Sequence, residues 1–377
     1  MFNSNNFIAK LSQLTNINCG TYNPSGVLEV AKTVEKWFID LGFSVQLISV
    51  GDKVGPCLVA TNKPNAPSFD ALLIGHLDTV YNENIASKYP LRVEGNKVYG
   101  LGSIDMKSGL LQGIEAVKQL NKDDLDKLSL CFIYNSDEEI SSIYSESLIA
   151  EYGKKSKCVL VLEAPEGGTY NIVNKRKGIA RYDIEFIGVA AHASMPQDGV
   201  NAVNELANFI LALKPFESKA KDTTYNVAPI LVGGPTNVIA PIAKASFEVR
   251  FLSKDDYLLM DGKIKELVSN PLDKKVKIKL TQTAYKPPMN NAVNSTWIED
   301  LVVASGKKLG ITLNKITSGG GSDGNFVSSI GIPTIDGLGP YGEFLHNAEF
   351  EHLMLDSVEP RINLLKQILL DLLEKKS

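Results

Sequence analysis

Histidine is scarce in this chain, with four in 377 residues, so the place of each one is informative. Cysteine is equally scarce. Cys19, Cys57, Cys131 and Cys158 stand far apart with no CxxC pair, which argues for buried thiols rather than a disulfide framework or a thiolate metal site. Positive charge is not in excess: 39 Lys and Arg face 43 Asp and Glu, for a net charge of -4. With no Lys/Arg stripe interleaved with aromatics, no nucleic-acid partner is expected. No uninterrupted apolar run approaches the roughly 20 residues of a membrane span, and the opening MFNSNNFIAK lacks the charged and apolar regions of a signal peptide. The expectation is a soluble cytoplasmic protein with no membrane partner. Internal repeats and low-complexity tracts are missing too, and a chain this long predicts two domains, each able to bury a core.

What the chain does have is a set of hydrophobic runs that end in metal-seeking side chains. ALLIGHLD reaches His76 and Asp78, GLGSIDMKSG carries Asp105, LSLCFIYNSDEE ends in Asp137, Glu138 and Glu139, and KCVLVLE ends in Glu163. ALLIG and CVLVL are apolar without alternation, as strands buried on both faces of a mostly parallel sheet are. In such sheets ligands bind beyond the carboxyl ends of the strands. Acids gathered there repel one another and resist leaving water, so their convergence makes physical sense when a cation of high charge lies among them.

Taken in order, apolar residues from Gly26 to Leu41 recur at helical spacing and Gly42 supplies a stop. SVQLISV, GPCLVATN and DALLIGH read as strands, Met106 to Leu120 as a helix with Asp105 at its start, LSLCFIYN as a strand, Tyr144 to Tyr152 as a helix and KCVLVLE as a strand. Alternation of this kind predicts a layered α/β domain with a mixed central sheet and flanking helices. After Asn174 the strands change character. GIARYDIEFIG, NVAPILVGG, KASFEVRFL and KKVKIKLTQ alternate polar and apolar residues, as a sheet with one wet face does, and helices are expected near 200–213 and 258–268. Residues 175–288 therefore read as an inserted α+β domain, and 1–174 with 289–377 as a discontinuous first domain. KPPM is the linker, and short apolar elements such as IPTIDG mark the return.

The candidate residues carry distinct chemistry. A neutral imidazole ligates zinc, and a carboxylate two residues on can orient it, which suits His76 and Asp78. On its own, HLD is as readily a surface turn, and Asp105 an ordinary helix cap. Glu138 and Glu139 are consecutive acids, so one can hold a metal while the other takes a proton from water and hands it to a leaving amine. His346 lies after the glycine-rich GLGPYG, whereas His352 reads as an exposed histidine. His192, in GVAAHASMPQDG, lies in the inserted domain and could reach a substrate on closure. SGGGSDGN lacks the GK[ST] ending of a phosphate loop, so its glycines, Gly320 among them, more plausibly let backbone approach a ligand.

Taken jointly, GHLDTV, YGLGSIDMKSG, NSDEEISS, Glu163-Ala164-Pro165, GVAAHAS, GGGSDGNF and LHNAE resemble the two-zinc metallopeptidases and deacylases. That family includes glutamate carboxypeptidase, aminoacylase, acetylornithine deacetylase and succinyl-diaminopimelate desuccinylase. The resemblance covers nearly the whole chain and is strongest to the glutamate carboxypeptidase branch. It implies a zinc-peptidase-like catalytic domain and an inserted lid that commonly dimerises. It implies that His76, Asp105 and Glu163 hold one zinc and that Asp105, Glu139 and His346 hold a second, with cobalt or manganese as substitutes. Glu138 would be the general base, Asp78 would orient His76, and His192 would stabilise the oxyanion, often across a dimer.

Asn237 and Arg250 match positions that hold a substrate carboxylate, for which a guanidinium is suited, and the loop with Gly320 lines the pocket for the C-terminal residue. Lys286 stands near where that branch often has arginine, and Ala164 separates Glu163 from the proline that comes directly after it in many members. The function expected is metal-dependent cleavage of an amide next to a free carboxylate, releasing a C-terminal residue from a small peptide, with glutamate the candidate. An N-acyl amino acid deacylase or dipeptidase is the alternative, and a catalytically silent metal- or peptide-binding protein is the alternative from another class.

Overall fold

The strands Ala71–His76, Leu130–Asn135 and Val159–Val161 are buried along their whole length, which is why they read as apolar runs without alternation. In the computed structural model, which describes residues 2–81, 84–218, 222–290 and 296–376, these three strands lie side by side and parallel. They form the middle of a six-stranded sheet ordered Ser44–Ile48, Cys57–Thr61, Leu130–Asn135, Ala71–His76, Val159–Val161, Thr334–Ile335. Cys57–Thr61 runs antiparallel to both its neighbours, so the sheet is mixed. His76 pairs with Asn135 and Ile74 with Val161, which brings the carboxyl ends of the three strands level. The segments that leave these strands therefore emerge at one edge of the sheet.

Helices cover this sheet for local reasons that the sequence shows. Pro24–Asp40 begins with Asn23 accepting from the Gly26 N–H and with proline in its first turn, and it ends before Gly42, whose φ of 81° suits glycine. Val27, Val30, Ala31, Val34 and Phe38 form its buried stripe. The Phe38 ring lies 4.9 Å from that of Phe132 and 5.7 Å from that of Tyr134. Truncating it to alanine should cost about 3–5 kcal/mol.

The helix expected from Met106 starts at Ser108 and runs to Lys118. Residues 103–107 form a tight irregular turn instead, with Asp105 at φ −117° and Met106 at φ −131°, both outside the helical region. Asp105 does not cap the helix, because its carboxylate is engaged elsewhere. Short strands that the sequence does not announce, Arg92–Glu94, Lys97–Tyr99, Gly342–Glu343 and His352–Met354, make a small antiparallel sheet. His352 pairs with Tyr99 there and is 1% exposed, contrary to the expected exposed histidine. The start of the last expected stretch, residues 292–295, lies outside the described residues.

By its internal contacts the chain divides into two units, one of Met1–Lys175, Met289–Ser318 and Ser322–Ser377, the other of Arg176–Pro288 and Gly319–Gly321. The second unit is an antiparallel sheet ordered Thr224–Val232, Ile242–Phe251, Gly178–Ile187, Lys277–Lys286, with the helices Ala202–Leu213 and Lys254–Ser269. Its inner strands alternate as expected, whereas the edge strand Thr224–Val232 has no buried residue and does not, because an edge strand packs against fewer neighbours. Tyr182, Ile184, Phe186, Phe247 and Val249 point into the core, while Asp183, Glu185, Lys244 and Lys279 line the other face. Tyr182 stacks on Phe247 at 4.9 Å, and Phe209 meets Phe247 edge-on at 5.4 Å.

Candidate metal centre

Level strand ends and two tight turns bring five side chains together in the first unit. His76 closes the strand Ala71–His76, and its ring is 1% exposed. Its Nδ1 faces only acceptors, the Asp78 carbonyl at 3.0 Å and Asp78 Oδ1 at 3.3 Å, so that nitrogen carries the hydrogen. The other ring nitrogen, Nε2, faces Asp105 Oδ1, 3.0 Å away, and Glu163 Oε1, 3.5 Å away. A second imidazole repeats the arrangement: His346 Nε2 lies 3.0 Å from Asp105 Oδ2 and 3.5 Å from Glu139 Oε2. Asp105 is thus spanned by two imidazoles, one at each oxygen.

His346 reaches this position from the hairpin between Gly342–Glu343 and His352–Met354, with a left-handed backbone of φ 64°. That conformation is uncommon for a residue with a side chain and is held by the surrounding turn. Glu163 leaves the strand Val159–Val161 beside Gly339, whose N–H donates to the Glu163 carbonyl at 2.8 Å. A Cβ on Gly339 would come within 2.3 Å of the Leu162 carbonyl oxygen, so the approach requires glycine.

The Asp78 carboxylate does more than face His76. It accepts from the Thr21 hydroxyl at 2.6 Å and from the Glu138 and Glu139 N–H groups at 3.3 Å each. It therefore fixes the turn Glu138–Ile140 that carries the acid pair. The far side of that turn holds Ser141 and Ser142 at φ 72° and 54°, where Ser142 donates its hydroxyl to buried Asp323. Asn135 donates to the same carboxylate at 2.8 Å. Sequence reasoning passed over Asp323 and Thr21, since a single acid or hydroxyl in a loop gives no periodic signal.

The electrostatics describe a crowded anionic site. Burial, and then the charge of Asp105, push the Glu139 carboxyl well above its ordinary range. Burial raises Glu163 in the same way, with His76 pulling it down less than burial and Asp105 push it up. The charge of Glu138 adds to the rise of both, which places it beside the cluster. Burial lowers the His76 pKa, but its contacts with Asp105, Asp78 and Glu163 outweigh this and leave it well above the ordinary value. Burial raises Asp105, and its bonds to His346 and His76 more than reverse that.

A cation fits these residues. Glu139 Oε1 is buried without a hydrogen-bond partner, two imidazole nitrogens face carboxylate oxygens at distances a shared cation could occupy, and ligand atoms of His76, Asp105 and Glu139 all lie within 4.8 Å of one another.

The remaining sequence candidates belong to the second unit. His192 is exposed, with Nδ1 2.7 Å from the Ser194 hydroxyl, and the Ala193 N–H donates to the Asn237 carbonyl, so His192 and the exposed Asn237 sit on neighbouring loops. Arg250 is already engaged, with Nε 2.6 Å from Glu248 and Nη1 2.7 Å from the Gly319 carbonyl. Gly320 accepts from Arg176 at 3.3 Å. Lys286 is buried, at 3% exposure.

With this arrangement of donors, residues 72–371 match the model of Peptidase family M20/M25/M40. The chain belongs to that family. As an M20 chain it is a metal-dependent hydrolase. It is similar to carboxypeptidase G2 of Pseudomonas sp. (strain RS-16), with 30% identity over 97% of this chain and 89% of that one. Succinyl-diaminopimelate desuccinylase of Hydrogenovibrio crunogenus is 28% identical over 73% of this chain and 75% of its own length. Among solved structures, aminopeptidase PepT from Bacillus cereus shares the M20 fold with a TM-score of 0.82 at 22% identity, covering 98% of this chain and 99% of that one. No helix among the described residues is long and apolar enough to cross a membrane.

Proposed function

We propose that this M20 hydrolase is a two-zinc carboxypeptidase that cleaves the amide next to a free C-terminal carboxylate, with glutamate as the released residue. The observation that carries the reading is Asp105 between two imidazoles, each flanked by its own carboxylate. His76, Asp105 and Glu163 would hold one ion, and Asp105, Glu139 and His346 the other. Bound there, zinc would supply Lewis acidity, polarising the scissile carbonyl and bringing the pKa of water close to neutrality.

The chain's own residues do the rest. Glu138, fixed by the bond from its N–H to Asp78, takes the proton of the attacking water and delivers it to the leaving amine. As the carbonyl carbon becomes tetrahedral, His192 stabilises the oxyanion. The Ser194 hydroxyl occupies its Nδ1 side, so Nε2 is the nitrogen offered. Asn237 and Arg250 hold the substrate carboxylate, and the backbone at Gly320 comes close to the terminal residue.

Two more parts of the reading rest on the second unit and on the thiols. The edge strand Thr224–Val232 exposes Ile230, Leu231 and Val232 at 49%, 62% and 46%, an apolar edge that a second copy of the chain would cover, making a homodimer. All four cysteines are free and buried, which supports a reducing, cytoplasmic setting. The second reading, an N-acyl amino acid deacylase or dipeptidase, is favoured by Lys286. A buried ammonium at that position is a poorer bidentate partner for a glutamate carboxylate than arginine.

A panel of peptides ending in glutamate, other dipeptides and N-acyl amino acids, assayed after chelation and zinc add-back, tests both. Two zinc ions per chain and preference for C-terminal glutamate are expected. Hydrolysis that survives complete removal of metal would refute the reading.

A further inference from the structure

A buried carboxylate that contacts none of the proposed ligand atoms joins three of the segments that carry them. Glu351 is 1% exposed and sits five residues beyond His346. Its Oε1 accepts from the backbone N–H of Ile104 at 3.1 Å and of Asp105 at 3.3 Å. Its Oε2 accepts from the Gly102 N–H at 3.1 Å and from the Tyr81 hydroxyl at 2.8 Å. Four donors thus converge on one side chain. Tyr81 extends the segment of His76 and Asp78, Gly102–Asp105 is the turn of the shared acid, and Glu351 itself continues the segment of His346.

We infer that Glu351 is a positioning residue for the whole centre, clamping the Gly102–Asp105 turn so that each oxygen of Asp105 faces its own imidazole. The inference rests on the proposed two-metal centre and adds to it a residue that touches neither metal nor substrate. The physical case is one of stereochemistry. The turn has non-helical dihedrals at Asp105 and Met106, so the helix beginning at Ser108 does not fix its N–H groups. Those N–H groups are buried, and buried donors need acceptors. A carboxylate has two oxygens with about four lone-pair sites and no donor of its own, matching the four donors present. An amide in its place would turn an NH2 group towards two of them. The turn would then shift, and because both imidazoles read the same carboxylate, both halves of the centre would loosen together.

That joint loosening separates a clamp from an ordinary buried acid. Zinc affinity and stoichiometry of the full chain, measured by competition with a chromogenic chelator and by elemental analysis, are to be compared for the parent, Glu351→Gln and Glu139→Ala. Removing a partner that holds a ligand in place typically weakens metal binding about 10–100-fold. For Glu351→Gln the fall is expected to be of that size and equal for both ions, with turnover regained at saturating zinc and the metal-free chain still folded. For Glu139→Ala one ion is lost and the other kept.

Parent-like affinity in Glu351→Gln, or loss of only one ion, overturns the inference. Should Glu351→Gln fail to fold, Tyr81→Phe removes a single donor and is expected to weaken both ions in parallel by several-fold; unchanged affinity there overturns it as well. A parent chain that takes up no ion defeats the metal-centre reading itself, and the clamp with it.

Discussion

The two units of this chain handle charge in opposite ways. In the first, Asp78, Asp105, Glu139 and Glu163 are drawn beside two histidines at the ends of fully buried strands, with a buried oxygen of Glu139 left unpaired. In the second, charges lie on the wet face of an alternating sheet and neutralise one another: Glu185 faces Lys244 at 2.9 Å and Lys279 at 3.3 Å, and Glu248 faces Arg181 at 2.9 Å and Arg250 at 2.6 Å. Pairs of the second kind contribute little to stability because water screens them. Acids of the first kind cost stability until a cation joins them. The difference teaches where chemistry is stored: in the unit that tolerates unbalanced charge.

Three measurements would break or sharpen that contrast. The largest effect belongs to Glu138→Ala, expected to lower kcat by about 10³-fold, in the range of a lost general base, while metal content stays at the parent level. Equal turnover in that variant would remove the base from the charged unit. Next comes Arg250→Ala in the second unit. It is expected to raise KM for substrates with a free carboxylate about tenfold, consistent with loss of a charge-assisted bond, and to leave metal content alone. A change in zinc stoichiometry there would mean that the two units do not divide the work.

The smallest effect is a pH dependence of the metal-free chain. Glu139 and Glu163 have raised pKa values, chiefly from burial, and His76 is raised by its carboxylate neighbours against the pull of burial. Each raised group adds stability below its unfolded value, about 4.3 for Glu and 6.5 for His, and that stability is lost as pH rises through the folded value. Asp105 is lowered and has the opposite sign, but its contribution is lost only below about pH 4. From about pH 5 to 8 the melting temperature of the metal-free chain should therefore fall by a few degrees, and the zinc-loaded chain should not share that fall. Parallel curves for the two forms would show that the acids are not the seat of the strain.

The same contrast decides what could be read from sequence. His76, Glu138, Glu139 and Glu163 were legible because each ends a long apolar run, and a run of that kind has a direction and an end. The inner strands Gly178–Ile187 and Ile242–Phe251 of the second unit were legible for the complementary reason, a period of two over ten residues, whereas the edge strand Thr224–Val232 does not keep that period. The small sheet that carries His346 was not, because its strands are two or three residues long and no period develops. Asp105 was found as a residue but placed in the wrong local structure: SIDMKSG looks helical until the demands of two imidazoles override propensity. The helix Ser4–Thr15 was passed over although Phe7, Leu11 and Leu14 share one face. The residues proposed for recognition, Asn237, Arg250 and Gly320, came from resemblance, since an exposed amide, an arginine on a strand and a loop glycine carry no pattern of their own.

The hairpin that delivers His346 also sets a timetable. Asp105 and its second imidazole are 241 positions apart, and Glu351 lies 270 positions from Tyr81. Contacts so remote along the polymer form late, after the intervening segments have folded. A nascent chain can therefore complete the strands around His76 while Asp105 still lacks its second imidazole, and on the proposed two-ion reading the second half-site would exist only once the hairpin carrying His346 has been made.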